Sequence, residues 1–126
     1  MHNPGIAQIR RDDRGTTAVE FAIIAPVFIM MLVGTFYVCL TLFLAGSLHY
    51  AVQQAARCAS VNTTVCTNSA TTVSYAQSHY FGPAASPTFT YSATACGNSV
   101  SASLNYVMNL GMTKLTVPVS AASCFP

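Results

Sequence analysis

Residues 21–48 read FAIIAPVFIMMLVGTFYVCLTLFLAGSL, a run of 28 without a charge, interrupted only by Pro26, Gly34, Thr35, Thr41, Gly46 and Ser47. As a helix this run extends roughly 42 Å, at about 1.5 Å per residue. The hydrocarbon core of a bilayer is about 30 Å thick, so the stretch can cross it with residues to spare. A cleaved secretory signal has an apolar region of only about 7–15 residues. The run therefore reads as a retained membrane span.

The rest of the sequence is organised around that span. The 126 residues include 5 Lys plus Arg and 3 Asp plus Glu, so only 6% are charged, while 52% are hydrophobic. Soluble domains average about 25% charged residues. This excludes a nucleic-acid binder with a basic face and a disordered polyelectrolyte, and it argues against an ordinary cytosolic enzyme. Arg10, Arg11, Asp12, Asp13 and Arg14 precede the span, Glu20 stands at its lip, and Arg57 and Lys114 follow it. The excess of basic residues on the N-terminal side places that side in the cytoplasm and the C-terminal region outside.

The junction reads Arg10-Arg11-Asp12-Asp13-Arg14-Gly15-Thr16-Thr17-Ala18-Val19-Glu20-Phe21. A carboxylate at the edge of an apolar helix is costly to desolvate and needs a partner or a place near the headgroups. Thr16 and Glu20 are four residues apart and share a helix face. A Glu in the first helical turn also suits the positive end of the helix dipole.

A charged leader, a Gly, four uncharged residues, then Glu-Phe and an apolar helix resembles the type III signal of prepilins and pseudopilins. The wider run from Arg14 through Pro26 to Val27, with Gln54-Ala55-Ala56-Arg57 further on, is similar to TadE-like pseudopilins of tight-adherence (Flp-type) pilus systems. Many relatives continue with Glu-Gly-Ala-Arg where this chain has Cys58-Ala59-Ser60. The resemblance implies cleavage by prepilin peptidase between Gly15 and Thr16. Glu20 then becomes the fifth residue and pairs with the new α-amino group of a neighbouring subunit, with Phe21 beside it, fixing axial register. It also implies partners: the peptidase, other pilins and the Tad inner-membrane assembly machinery, besides the lipid bilayer. The corresponding place is the bacterial inner membrane, with the C-terminal domain periplasmic and open to incorporation into a pilus.

Three segments are expected: a leader over 1–15, the membrane half of a long helix over 16–48, and an extracytoplasmic domain over 49–126. Leu48, Val52, Ala55 and Ala59 keep helical spacing past the membrane, so one helix from Thr16 to about Ser60 is expected. Pro26 removes the hydrogen bond to the Ala22 carbonyl and is expected to kink it. Asn62 to Ala70 reads as a polar loop, and Thr71 to Phe81 as a short helix stopped by Gly82-Pro83, with Val73, Ala76 and Tyr80 on one side. Three runs then alternate with period two, separated by Gly97-Asn98 and Gly111: Phe89-Tyr91-Ala93, Val100-Ala102-Leu104-Tyr106-Met108, and Leu115-Val117-Val119-Ala121. They predict an antiparallel meander covered by the long helix, an α+β arrangement of pilin-like type.

Cys58, Cys66, Cys96 and Cys124 lie beyond the span, and Cys39 lies within it. Four cysteines in a small outer domain suggest two disulfides, with three possible pairings. In a meander the turn entering the second strand neighbours the end of the third, which favours Cys96–Cys124 and leaves Cys58–Cys66. Four free thiols are the alternative. No CxxC spacing occurs, and His49 and His79 are isolated, so no metal site and no cofactor are expected. After Glu20 there is no Asp or Glu, which leaves no acid to orient a catalytic histidine. A structural role as minor pilin in pilus assembly and surface adherence is the leading reading. The alternative is an uncleaved single-pass anchor carrying a disulfide-stapled, adhesin-like domain that presents Tyr75, Tyr80, Phe81, Phe89 and Tyr91.

Overall fold

In the computed structural model, residues 13–83, 86–109, 111 and 113–126 are described. The leader residues 1–12 lie outside them. The elements are α1 (Asp13–Val61), α2 (Ser69–Ser78), β1 (Thr88–Thr94), β2 (Gly97–Asn109) and β3 (Lys114–Phe125). The fold is α+β: a long apolar N-terminal helix followed by a small domain with a three-stranded antiparallel sheet, in the order β1-β2-β3.

The chain divides into two compact units, residues 1–36 and 37–126. In the first, α1 runs through Pro26 without a break. Seven consecutive residues, Val27 to Val33, are all exposed, and at about 100° per residue they cover every side of the helix. In the second unit α1 changes character: Leu44, Leu48, Ala51, Val52, Ala55 and Ala56 are fully buried. All of these except Leu44 form a core with Ala76 from α2 and Phe89, Val100, Ala102, Val119 and Ala121 from the sheet. Among the residues of this core, Leu48 and Val52 from α1 and Val100 from β2 are the largest that are fully buried.

Strand β2 shows the period-two pattern most plainly. Val100, Ala102, Leu104 and Met108 face inward, and Ser101, Ser103, Asn105, Val107 and Asn109 face outward. The pattern fails at the sheet margins. Ala93 and Leu115, expected on the inner face of their strands, are exposed, each lying near a strand end. Pro118 lies in β3, opposite Asn105. As an edge strand, β3 can accommodate a residue with no N–H to donate. The β1–β2 turn is Ala95-Cys96, with Thr94 paired to Gly97, so Gly97-Asn98 opens β2 instead of forming the turn. Gly97 has φ +127°, and a Cβ there would stand 2.4 Å from the Phe125 carbonyl oxygen. Only glycine fits where β3 passes this closely.

The short helix α2 is shifted from its expected range. It starts at Ser69 because Asn68 caps it: the Asn68 side chain accepts from the Thr71 N–H at 2.9 Å, and the Thr71 hydroxyl accepts from the Asn68 N–H at 3.0 Å. It ends at Ser78, short of Gly82-Pro83, with Tyr80 turned against the core. Asn68→Ala is expected to cost about 1 kcal/mol, the usual worth of such a cap, read as a lower denaturation midpoint with an unchanged slope.

The structure pairs Cys58 with Cys66 and Cys96 with Cys124. The second bridge ties the β1–β2 turn to the end of β3. Beside it, Asn98 donates to the Ser60 hydroxyl at 2.9 Å, Ser60 donates to the Phe125 carbonyl at 3.0 Å, and the Tyr91 hydroxyl donates to Asn98. This polar chain joins the end of α1 to all three strands.

The Tyr80 hydroxyl is buried with no hydrogen-bond partner, and a Cβ on Gly82 would lie 1.9 Å from it. Burial raises the Tyr80 pKa above its ordinary value. The folded state therefore keeps this proton after the unfolded chain has lost it. The resulting stability is complete below about pH 10 and falls as pH rises through the folded value. Tyr80→Phe removes both the unpaired hydroxyl and this decline. Its expected effect is equal or greater stability at neutral pH, by up to about 1 kcal/mol, and a flatter stability curve above pH 10.

Candidate processing junction and assembly helix

Gly15, Thr16, Thr17, Ala18, Val19 and Glu20 are all exposed on the first turns of α1. Nothing lies within 4 Å of a Cβ built on Gly15. The junction is therefore open on its helical face, and the Gly15–Thr16 peptide is itself helical. Thr16 and Glu20 stand one turn apart on one side.

The described part of α1 already includes Asp13, so Glu20 is not in its first turn as expected. It lies about two turns in, beyond the range over which the helix dipole favours a negative charge. Removing residues up to Gly15 would make Glu20 the fifth residue of the helix and bring the carboxylate close to a free amine. The chemistry of the site thus depends on whether the chain is cut.

Following Glu20, α1 presents an apolar surface that no other described residue of the first unit covers: Phe21 is 72% exposed, Met30 74% and Met31 73%. It is the one helix among the described residues long and apolar enough to cross a membrane, with a mean hydropathy of 2.4 over its most apolar window. The few polar side chains in the run are satisfied locally. Thr35 donates to the Met31 carbonyl at 2.9 Å and Thr41 to the Tyr37 carbonyl at 2.9 Å. Such back-bonding suits a medium without water. Ser47 is buried within the second unit, where its hydroxyl accepts from the Phe81 N–H at 2.8 Å. Cys39 is an exposed free thiol in the apolar run.

Residues 15–57 match the family model of TadE-like proteins. The match starts at the glycine of the junction and stops at Arg57, one residue before the first bridged cysteine. It covers most of α1 and none of the sheet. No curated protein and no solved structure matches the chain. The TadE-like segment supports a pilin-like role associated with a Tad pilus, and a single-pass membrane protein fits its one long apolar helix.

Of the aromatics considered as a binding surface, Phe89 is buried in the core, and Tyr75, Tyr80 and Tyr91 pack against it, while Phe81 is 65% exposed. Sequence reasoning missed the Ser47–Phe81 and Ser60–Asn98 contacts. Each joins residues more than 30 positions apart, and a lone Ser or Asn carries no periodic signal.

Proposed function

We propose that this chain is a minor pilin or pseudopilin of a Tad pilus. Its leader stays in the cytoplasm, prepilin peptidase cuts after Gly15, and the helix starting at Thr16 is held in the inner membrane before joining a bundle of like helices. The disulfide-stapled domain stands on the periplasmic side and contributes to assembly and adherence. The observation that carries this reading is an apolar helix exposed on every side, with one carboxylate at its lip, inside the segment that matches the TadE-like family. Such a surface needs lipid or other helices around it. In a bundle, Glu20 pairs with the amine of a neighbour and sets the stagger between subunits.

Glu20→Gln tests the register role. It keeps the shape and removes the charge. The expected result is a chain still processed at Gly15 and stable in the membrane, but loss of surface filaments and of adherence. Unchanged filaments with the variant as sole copy would count against the proposal. The helical Gly15–Thr16 peptide favours a second reading, an uncleaved anchor with an adhesin-like domain, since a protease must first unwind that bond. In that case Glu20→Gln leaves filaments intact and the leader remains on the chain.

A further inference from the structure

The last turns of α1 carry Gln54, Arg57, Cys58 and Val61 at i, i+3, i+4 and i+7, so these side chains share one face. With Asn62, the first residue after the helix, and Tyr75 of α2 they line an open cleft of about 170 Å³. The whole cleft lies within the second unit. Two constraints hold its walls. The Cys58–Cys66 bridge closes the turn that contains Asn62. The Tyr75 ring stacks on His79 with centroids 4.1 Å apart. A lining fixed in advance loses little freedom when a ligand binds.

Hydrogen bonding decides what the cleft can take. The Asn62 carbonyl accepts from the N–H groups of Val65 at 3.2 Å and Cys66 at 3.0 Å, and Asn62 Oδ1 accepts from the Thr64 hydroxyl at 2.7 Å. The acceptors of Asn62 are thus engaged, and its side-chain NH2 is open to a ligand. Arg57 is exposed, and neither its guanidinium nor the Gln54 amide has a partner among the described residues. No Asp or Glu follows Glu20 in the sequence, so no acidic side chain of this unit can pair with Arg57. Open donors around one positive charge select an anion, and a guanidinium takes carboxylate oxygens in pairs. The rest of the lining is two amides, the Tyr75 ring and Val61. An acidic sugar meets all of it: a carboxylate for Arg57, hydroxyls for the amides and an apolar ring face for Tyr75 and Val61. A glutamate side chain of a peptide would meet only the first.

We propose that this cleft binds the acidic sugar unit of a saccharide, with its carboxylate on Arg57, its hydroxyls on Gln54 and Asn62, and its ring against Tyr75. The proposal gives the adherence named above a ligand class and rests on that part of the reading. It does not depend on cleavage at Gly15.

The test is a calorimetric titration of the purified full chain in detergent. Trigalacturonic acid is the probe, and a neutral galactose trisaccharide is its uncharged counterpart. The expected result is binding of the acid, with the neutral sugar at least about tenfold weaker. Arg57→Gln, at an exposed position, lowers the affinity for the acid by about tenfold or more, the usual loss for a hydrogen bond to a charged group. Gln54→Glu, which sets a carboxylate in the cleft at unchanged size, abolishes binding. Lys114→Gln removes the same charge as Arg57→Gln from β3, outside the cleft, and leaves the affinity unchanged. No binding of the acid at millimolar concentration would overturn the proposal, as would equal binding of the neutral sugar. Equal losses in Arg57→Gln and Lys114→Gln would mean diffuse attraction without a site, and would also overturn it. A triglutamate peptide that binds through Arg57 more tightly than trigalacturonic acid would make the ligand an acidic peptide and overturn the assignment to a saccharide. The titration needs neither filaments nor cleavage. Its failure leaves the pilin reading standing, and unchanged filaments in Glu20→Gln count against that reading alone.

Discussion

Leu48→Ala is expected to destabilise the C-terminal domain by roughly 2–5 kcal/mol, the range for deleting a fully buried leucine. Leu48 has no exposed surface and sits between the helix stripe and the sheet. Its neighbours on α1 are Ala51, Val52 and Ala55, which are too short to collapse into the space left behind. Alanine is at least as good a helix former as leucine, so propensity gives no reason for the loss. Against a typical domain stability of about 5–15 kcal/mol, this is a large share. Leu42→Ala, at a position 67% exposed, is the matched control and should change domain stability by less than about 0.5 kcal/mol. Denaturant unfolding of the detergent-solubilised chain, followed by a tertiary-structure probe, separates the two. Equal effects at both positions would mean that the sheet does not pack on this stripe.

Removing the Cys96–Cys124 bridge by paired serine substitutions is the second large effect. The bridge spans 28 positions, and the Cys58–Cys66 bridge spans 8. Chain-entropy estimates give about 3.5 kcal/mol for the longer loop and about 2.5 kcal/mol for the shorter one. The longer one also anchors the end of edge strand β3, beside the Ser60–Asn98 contact. A domain of this size has a limited core, so covalent closure counts for much of its stability. The expected order of denaturation midpoints is intact chain, then the Cys58/Cys66 double variant, then the Cys96/Cys124 double variant. A midpoint for the Cys96/Cys124 variant equal to that of the intact chain would contradict the account.

These effects depend on features that differed in how openly the sequence displays them. The long helix was legible because its apolar run is long enough to cross a membrane, and because Leu48, Val52 and Ala55 continue at helical spacing. The meander was legible in β2, where small polar residues alternate with aliphatic ones across nearly the whole strand. It was less legible at Ala93 and Leu115, because alternation records which face a residue takes and not how fully that face is covered at a strand end. The start of α2 was available in the Asn68-x-x-Thr71 pattern, but a polar run conceals a capping box when no apolar stripe follows closely. Its end was misplaced because Gly82-Pro83 is a conspicuous breaker, whereas the actual stop follows from Tyr80 packing inward. At the candidate site the sequence carries the residue types and their spacing. It does not show that the helix already includes Asp13, and so it placed Glu20 nearer the helix end than it lies in the uncut chain.

The central claim is that this is a pilin-like subunit matured at Gly15. The most direct test is the N-terminus and intact mass of the chain, tagged at its C-terminus and expressed with and without prepilin peptidase. The account predicts a chain starting at Thr16 only when the peptidase is present. A chain that keeps its leader in the presence of active peptidase would contradict it.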